Sequence, residues 1–315
     1  MGLGVKTRRW GAVMTSAALL LTGCGKSGGM AGVTSLGGLG GRGEQAKLNA
    51  YTTALNTLIG EYGLAKTLSN YAEEDVAHKG VTDSTSIYDG RLDEARTELK
   101  TARNLPGAMS DVDASADKVL SDLDRVLARM TGLKAYYTSK GFKEDGGARG
   151  KAEDPLLQAD FKAGVADLDR LNGIVDARRK VRARAELAML KARGDHLGYD
   201  TKLALQEAET VVGLFKTPAD LKNPAILAQA DAQIALMNKV LADQRQDLIK
   251  ARQDDKGPNS YRLDNYGRIA DGLNKFIGDY RDLKQNGTPQ AINSAIADFN
   301  DAVGWSNSNV ALPGG

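Results

Sequence analysis

An all-α fold is predicted by three observations. From Glu44 onward the chain is rich in Ala, Leu, Asp, Lys, Arg and Gln, and aromatic residues make up only 5% of it. β-branched runs of period two are absent. Apolar residues instead return every three or four positions, the spacing of one face of a helix. The expected architecture is an elongated multi-helix bundle with long antiparallel helices, preceded by a signal peptide and a flexible glycine-rich tether.

Residues 1–23 read as an export signal. Lys6, Arg8 and Arg9 form a basic start, and the chain then runs without charge from Trp10 to Leu21. That run is too short for a membrane-spanning helix, which needs about 20 residues, but suits a signal peptide. It closes on Leu21-Thr22-Gly23-Cys24, and Cys24 is the only cysteine. The tetrapeptide resembles a bacterial lipobox, in which cleavage between Gly23 and Cys24 exposes a cysteine for lipidation. Diacylation of the sulfur removes the anomaly of a lone thiol in an exported chain, and several acyl chains together hold a protein at a bilayer. Gly25 follows the cysteine instead of the aspartate that tends to retain lipoproteins in the inner membrane. The expected location is therefore the outer membrane, facing the periplasm. Residues 25–43 hold nine glycines in 19 positions, a composition that cannot offset its ordering entropy. Residues 24–43 are thus expected to be a lipidated linker.

The helical domain is expected over residues 44–308, with a disordered tail over 309–315. Its first helix reads from Glu44 to Asp75 on a stripe of Leu48, Tyr51, Leu55, Leu58, Tyr62, Ala65 and the neighbouring Leu68. A second runs from Ser86 to Asn104 and is stopped by Pro106. The third carries Val112, Ala116, Val119, Leu123, Val126, Met130, Leu133 and Tyr137, and breaks at Gly141, Gly146 and Gly147. Asp154 as cap and Pro155 in the first turn start the fourth. Its apolar side continues through Leu157, Phe161, Val165, Leu168, Leu171 and Val175 to Val181, Ala185 and Met189. Further helices read from Asp200 to Lys216, Pro224 to Gln253, Ser260 to Gln285 and Thr288 to Val303. Their stripes include Leu203, Val211 and Leu214, then Leu236, Val240 and Leu248, then Tyr266, Leu273, Phe276 and Tyr280. Trp305 is expected as a lid on the last helix. Whether these helices make one domain or two halves is not decided by the pattern.

Composition excludes several chemistries. The net charge of +2 falls to −1 once the three signal cations are removed, so no nucleic-acid partner is expected. With one cysteine and only His78 and His196, neither a thiolate cluster nor a zinc site is expected, and no cofactor motif is present. Each histidine stands alone near a helix end.

Two charged segments remain as candidate sites. Tyr136, Tyr137, Lys140, Lys143 and Asp145 crowd a glycine-rich turn that could hold an anionic or sugar-like group, or could simply be a solvated connection with Tyr137 in the core. Arg178, Arg179, Lys180, Arg182 and Arg184 form the densest basic run. It offers a patch for anionic lipid or an acidic partner, or else a solvated face balanced by Asp176 and Glu186.

The turn also carries a resemblance. Tyr136-Tyr137, Lys140, Lys143, Asp145 and Gly150-Lys151, with Asn49 and Tyr51 near the start and Phe299-Asn300 near the end, resemble the YiiG-like bacterial lipoproteins. The likeness runs from Leu48 to Ser306, and departs at Phe142 and at Gly146-Gly147. It implies an exported, all-helical lipoprotein, and supplies no catalytic residues. The expectation is a non-enzymatic binding or scaffold protein of the cell envelope, attached to the bilayer through acylated Cys24 and serving an envelope protein or anionic ligand. The alternative is an envelope-acting hydrolase or transferase with carboxylates between helices.

Overall fold

The computed structural model describes residues 39–217, 219–254 and 260–308. Residues 1–23, the linker as far as residue 38 (with Gly23 and Cys24) and the tail 309–315 lie outside them. Among the described residues all regular structure is helical. It comprises α1 (Leu39–Ile59), α2 (Leu64–Glu74), α3 (Val76–Lys79), α4 (Leu92–Asn104), α5 (Ser110–Thr138), α6 (Phe142–Asp145), α7 (Ala148–Ala192), α8 (His196–Leu214), α9 (Pro224–Asp254), α10 (Ser260–Asn286) and α11 (Pro289–Ser308), with a 3-10 turn at Asp220–Lys222. No helix of the described residues is long and apolar enough to cross a membrane.

The chain divides into two compact units, with the boundary inside α7 between Arg179 and Lys180. In the first unit α1 packs along α4, and α4 along α5. Its core holds Tyr51, Leu55, Leu58, Leu92, Leu99, Val119, Leu123, Leu157 and Phe161, all fully buried. In the second unit α8 pairs with α9 and α10 with α11, around Leu205, Phe215, Met237, Leu273, Phe276 and Phe299. Each fully buried side chain of this size contributes about 1.5–3 kcal/mol, so each unit has a core of its own.

The stripe of α5 is buried at all eight predicted positions, and so are Tyr266, Leu273, Phe276 and Tyr280 of α10. Several expectations are corrected. The predicted Glu44–Asp75 helix is two helices. A Cβ on Gly63 would sit 2.1 Å from the Leu58 carbonyl oxygen, so the chain can fold back there only without a side chain. Tyr62 consequently leaves the core and packs its ring edge-on against Tyr88, 6.3 Å away. Helix α1 also starts at Leu39, inside the stretch expected to be linker. Gly43 lies against the Pro106 carbonyl, where a Cβ would come within 3.2 Å.

Helix α4 begins at Leu92 and not at Ser86. Helix α7 begins at Ala148, so Pro155 lies inside it and Asp154 is not its cap. Instead Asp154 is buried and accepts a hydrogen bond from Gln158 Nε2 at 3.0 Å. The stripe of α7 is buried through Val175 apart from the half-buried Val165, but Val181 and Met189 are 66% and 43% exposed and Ala185 is exposed. On α9, Leu236 is exposed too, because the buried line runs through Ala230, Ile234, Met237 and Leu241. Thr288 caps α11 as expected, its hydroxyl accepting from the Ala291 amide at 3.4 Å. Trp305 lies within that helix rather than over its end, partly exposed under the Arg268 guanidinium, 4.3 Å from the ring centre.

Candidate functional site

The tyrosine turn is a tightly bonded connection. Tyr136 and Tyr137 close α5 and are both buried. The Tyr136 hydroxyl donates to Asp145 Oδ1 at 2.7 Å. The same carboxylate accepts from the amides of Gly147 at 2.8 Å and Arg149 at 3.1 Å, and so caps the start of α7. Hydrogen bonding from Tyr136, followed by these amides, holds the Asp145 carboxyl below the usual aspartate range. Burial, and then Asp145, pushes the Tyr136 phenol up to about 12. Gly146 and Gly147 have φ of +63° and +81°, so the turn needs glycine where the resemblance has polar residues. Lys140 and Lys143 converge on Asp83 Oδ1, each at 3.3 Å, and hold that carboxyl low. Tyr137 points inward, beside Tyr71 and against Gly150. The structure thus brings the five predicted residues to one place, with Tyr136 and Asp145 bonded to each other, Lys140 and Lys143 paired with Asp83, and the Tyr137 hydroxyl buried with no hydrogen-bond partner among the described residues.

The basic run is not one surface. Arg178 forms a bidentate pair with Asp111 at the start of α5, its Nε lying 3.1 Å from Oδ2. Arg179 is half-buried and Lys180, Arg182 and Arg184 are exposed.

Two clusters were not singled out from the sequence. In the first unit Lys47, 2% exposed, places Nζ 2.9 Å from Asp113 Oδ2. Tyr51 donates to Asp113 Oδ1 at 2.5 Å, and Arg103 bridges Asp113 and Asp117 at 3.6 and 2.8 Å. Burial first, then Asp113, raises the Tyr51 phenol. Lys47 and Tyr51 share a helix face at a four-residue spacing, a signal masked because Lys47 looks like any surface lysine.

The second cluster lines an open groove of about 410 Å³ in the second unit, formed by Lys191, His196, Tyr199, Asp200, Asp243, Gln246, Asp247 and Lys250. Asp195 caps α8 by accepting from the Gly198 amide at 2.8 Å, which puts His196 and Asp200 one turn apart on that helix. Asp243 and Asp247 stand one turn apart on α9 and face them. Burial, then Asp247 and Asp243, raises the Asp200 carboxyl, while His196 opposes the shift. The rim is partly neutralised, since Lys250 lies 3.6 Å from Asp247. The two i, i+4 spacings were legible in sequence, but their pairing across helices was not. His78, on α3, is exposed and donates from Nδ1 to Asp75 Oδ1 at 2.6 Å, which raises its pKa.

A search of curated proteins and of solved structures finds no match. A family described as a protein of unknown function, DUF3829, matches residues 43–295, which covers the described helices from α1 into α11. The chain therefore belongs to this family of helical proteins of unknown function.

Proposed function

We propose that the chain is an exported lipoprotein of the YiiG-like type, anchored through acylated Cys24 in the outer membrane facing the periplasm. In this reading its two helical units bind or scaffold an envelope partner without catalysis. What supports it is the use of charge. At the tyrosine turn Tyr136, Asp145, Lys140 and Lys143, and in the second cluster Lys47, Tyr51 and Asp113, are taken up by bonds between elements. In the basic run Arg182 and Arg184 are exposed. A catalyst built on those residues would need them free to meet a substrate.

The test is labelling of cells with radioactive palmitate, followed by fractionation. The wild-type chain should carry label and sediment with outer membrane, and Cys24→Ala should lose both. A labelled Cys24→Ala chain, or an unlabelled wild type, would end the lipoprotein reading.

One observation favours the enzymatic alternative, a hydrolase or transferase using carboxylates between helices. Asp200 in its groove has the raised carboxyl pKa of a general acid. Purified chain would be incubated with isolated envelope glycans and lipids. Product release that is abolished by Asp200→Asn would establish that alternative.

A further inference from the structure

Between Val181 and Arg193, α7 carries a face that its own unit leaves uncovered. At about 100° per residue, Val181, Ala185, Ala188, Met189 and Ala192 fall within one sector of the cylinder, and all five are exposed. The side opposite is turned toward the unit. There Ala183, Glu186, Leu187 and Leu190 are half-buried, and Glu186 holds Lys202 of α8 at 3.3 Å. Cations border the outward sector on both edges, with Arg182 and Arg193 along one and Arg184 and Lys191 along the other, all exposed. Glu186 is the one anion in this stretch, and it points away and is paired.

We propose that this face docks onto a surface of anionic phospholipid. An apolar stripe with cations on both sides is the arrangement of a helix lying in the plane of a membrane interface. The stripe enters the boundary between headgroups and acyl chains, and the flanking arginines and lysines meet phosphates on either side. A partner helix packed on the stripe would satisfy Val181 and Met189 but would need anions along both of its own edges. A lipid surface supplies them everywhere. The proposal rests on the envelope reading for its membrane, but not on the acyl group, because the contact is made by α7 itself.

The test uses the mature chain from Gly25 onward, made without acylation, and vesicles of phosphatidylcholine with or without phosphatidylglycerol. Cosedimentation should occur only with phosphatidylglycerol present and should weaken as salt rises. Arg182→Gln combined with Arg184→Gln should weaken binding roughly thirty-fold. Val181→Ser combined with Met189→Ser should weaken it about tenfold. All four positions are exposed, so both variants should keep the helical circular dichroism and urea midpoint of the parent. Equal binding to both vesicle types, binding unchanged in either double variant, or no binding at all would overturn the proposal. Capture by an acidic protein without vesicle binding would overturn it as well. Palmitate labelling of Cys24 reads the anchor separately, so failure of one idea is distinguishable from failure of the other.

Discussion

Removing the Asp113 carboxylate should be among the most damaging single changes in the first unit. Its partner Lys47 is 2% exposed, and among the described residues Nζ has Asp113 at 2.9 Å and the Gly107 carbonyl at 3.4 Å as hydrogen-bond acceptors. Asp113→Ala therefore strands an ammonium out of reach of water. Breaking a buried pair from one side costs about 3–5 kcal/mol. The Tyr51 hydroxyl loses its acceptor in the same step, which adds about 1–3 kcal/mol. A domain holds only about 5–15 kcal/mol in total, and urea lowers that by about 1–3 kcal/mol per molar. The unfolding midpoint of the first unit should thus fall by roughly 2 M or the unit should fail to fold. Lys47→Met should be much milder, because Asp113 keeps Tyr51 at 2.5 Å and Arg103 at 3.6 Å. Urea unfolding followed by far-ultraviolet circular dichroism measures both variants. Trp305, the one tryptophan after Cys24, serves as an internal fluorescence reference in the second unit. A cost below about 1 kcal/mol for Asp113→Ala, the range of exposed pairs, would refute the reasoning by showing that Lys47 reaches solvent.

Three further outcomes are expected. Asp122, 4% exposed, has its carboxyl raised, chiefly by burial, despite its pair with Arg125. A raised acid disfavours the folded state while ionised, so Asp122→Asn should stabilise at neutral pH, with the gain shrinking toward the ordinary value of 3.8 as the native carboxyl protonates; a gain independent of pH in urea melts would contradict this. Asp145→Asn should bring the Tyr136 titration down from about 12 without reaching 10.0, because burial is the larger cause; phenolate absorbance reads it, and an unmoved titration would show that the hydrogen bond is not formed. Gly63→Ala should cost about 1–3 kcal/mol, since its Cβ meets the Leu58 carbonyl at 2.1 Å, whereas Gly173→Ala, with open space around its Cβ, should stabilise α7 by about 0.5–1 kcal/mol; thermal melts that rank the two the other way would show that the α1–α2 turn relaxes freely.

The helices were legible because burial imposes its period on the sequence. The α5 stripe could be read residue by residue because that helix lies in the core along its whole length. The reading failed where one local signal stood for two structures. Asp154-Pro155 looks like a helix start, but Asp145 takes the capping role nine residues earlier and the helix absorbs the proline. Val181, Ala185 and Met189 continue the apolar period of α7 past the end of the first core, and period alone does not reveal what covers a face. Trp305 reads as a lid because it follows the predicted helix end at Val303, yet the helix runs on to Ser308 and a guanidinium covers one face of the ring. The Lys47 cluster and the Asp200 groove both need residues brought together from different helices. Each contributing helix showed only an ordinary four-residue spacing, so the chemistry became visible only once the helices were packed.

The early start of α1 sets a limit on reach. With Leu39 already helical and Gly43 seated against Pro106, residues 25–38 are all that separate Cys24 from the first helix. Whatever path those residues take, a fully extended chain of that length covers no more than about 50 Å. If Cys24 carries the proposed acyl anchor, the first unit works within that radius of it. Lengthening or shortening that stretch by a few residues would change which neighbours the first unit can touch without altering a single contact inside it.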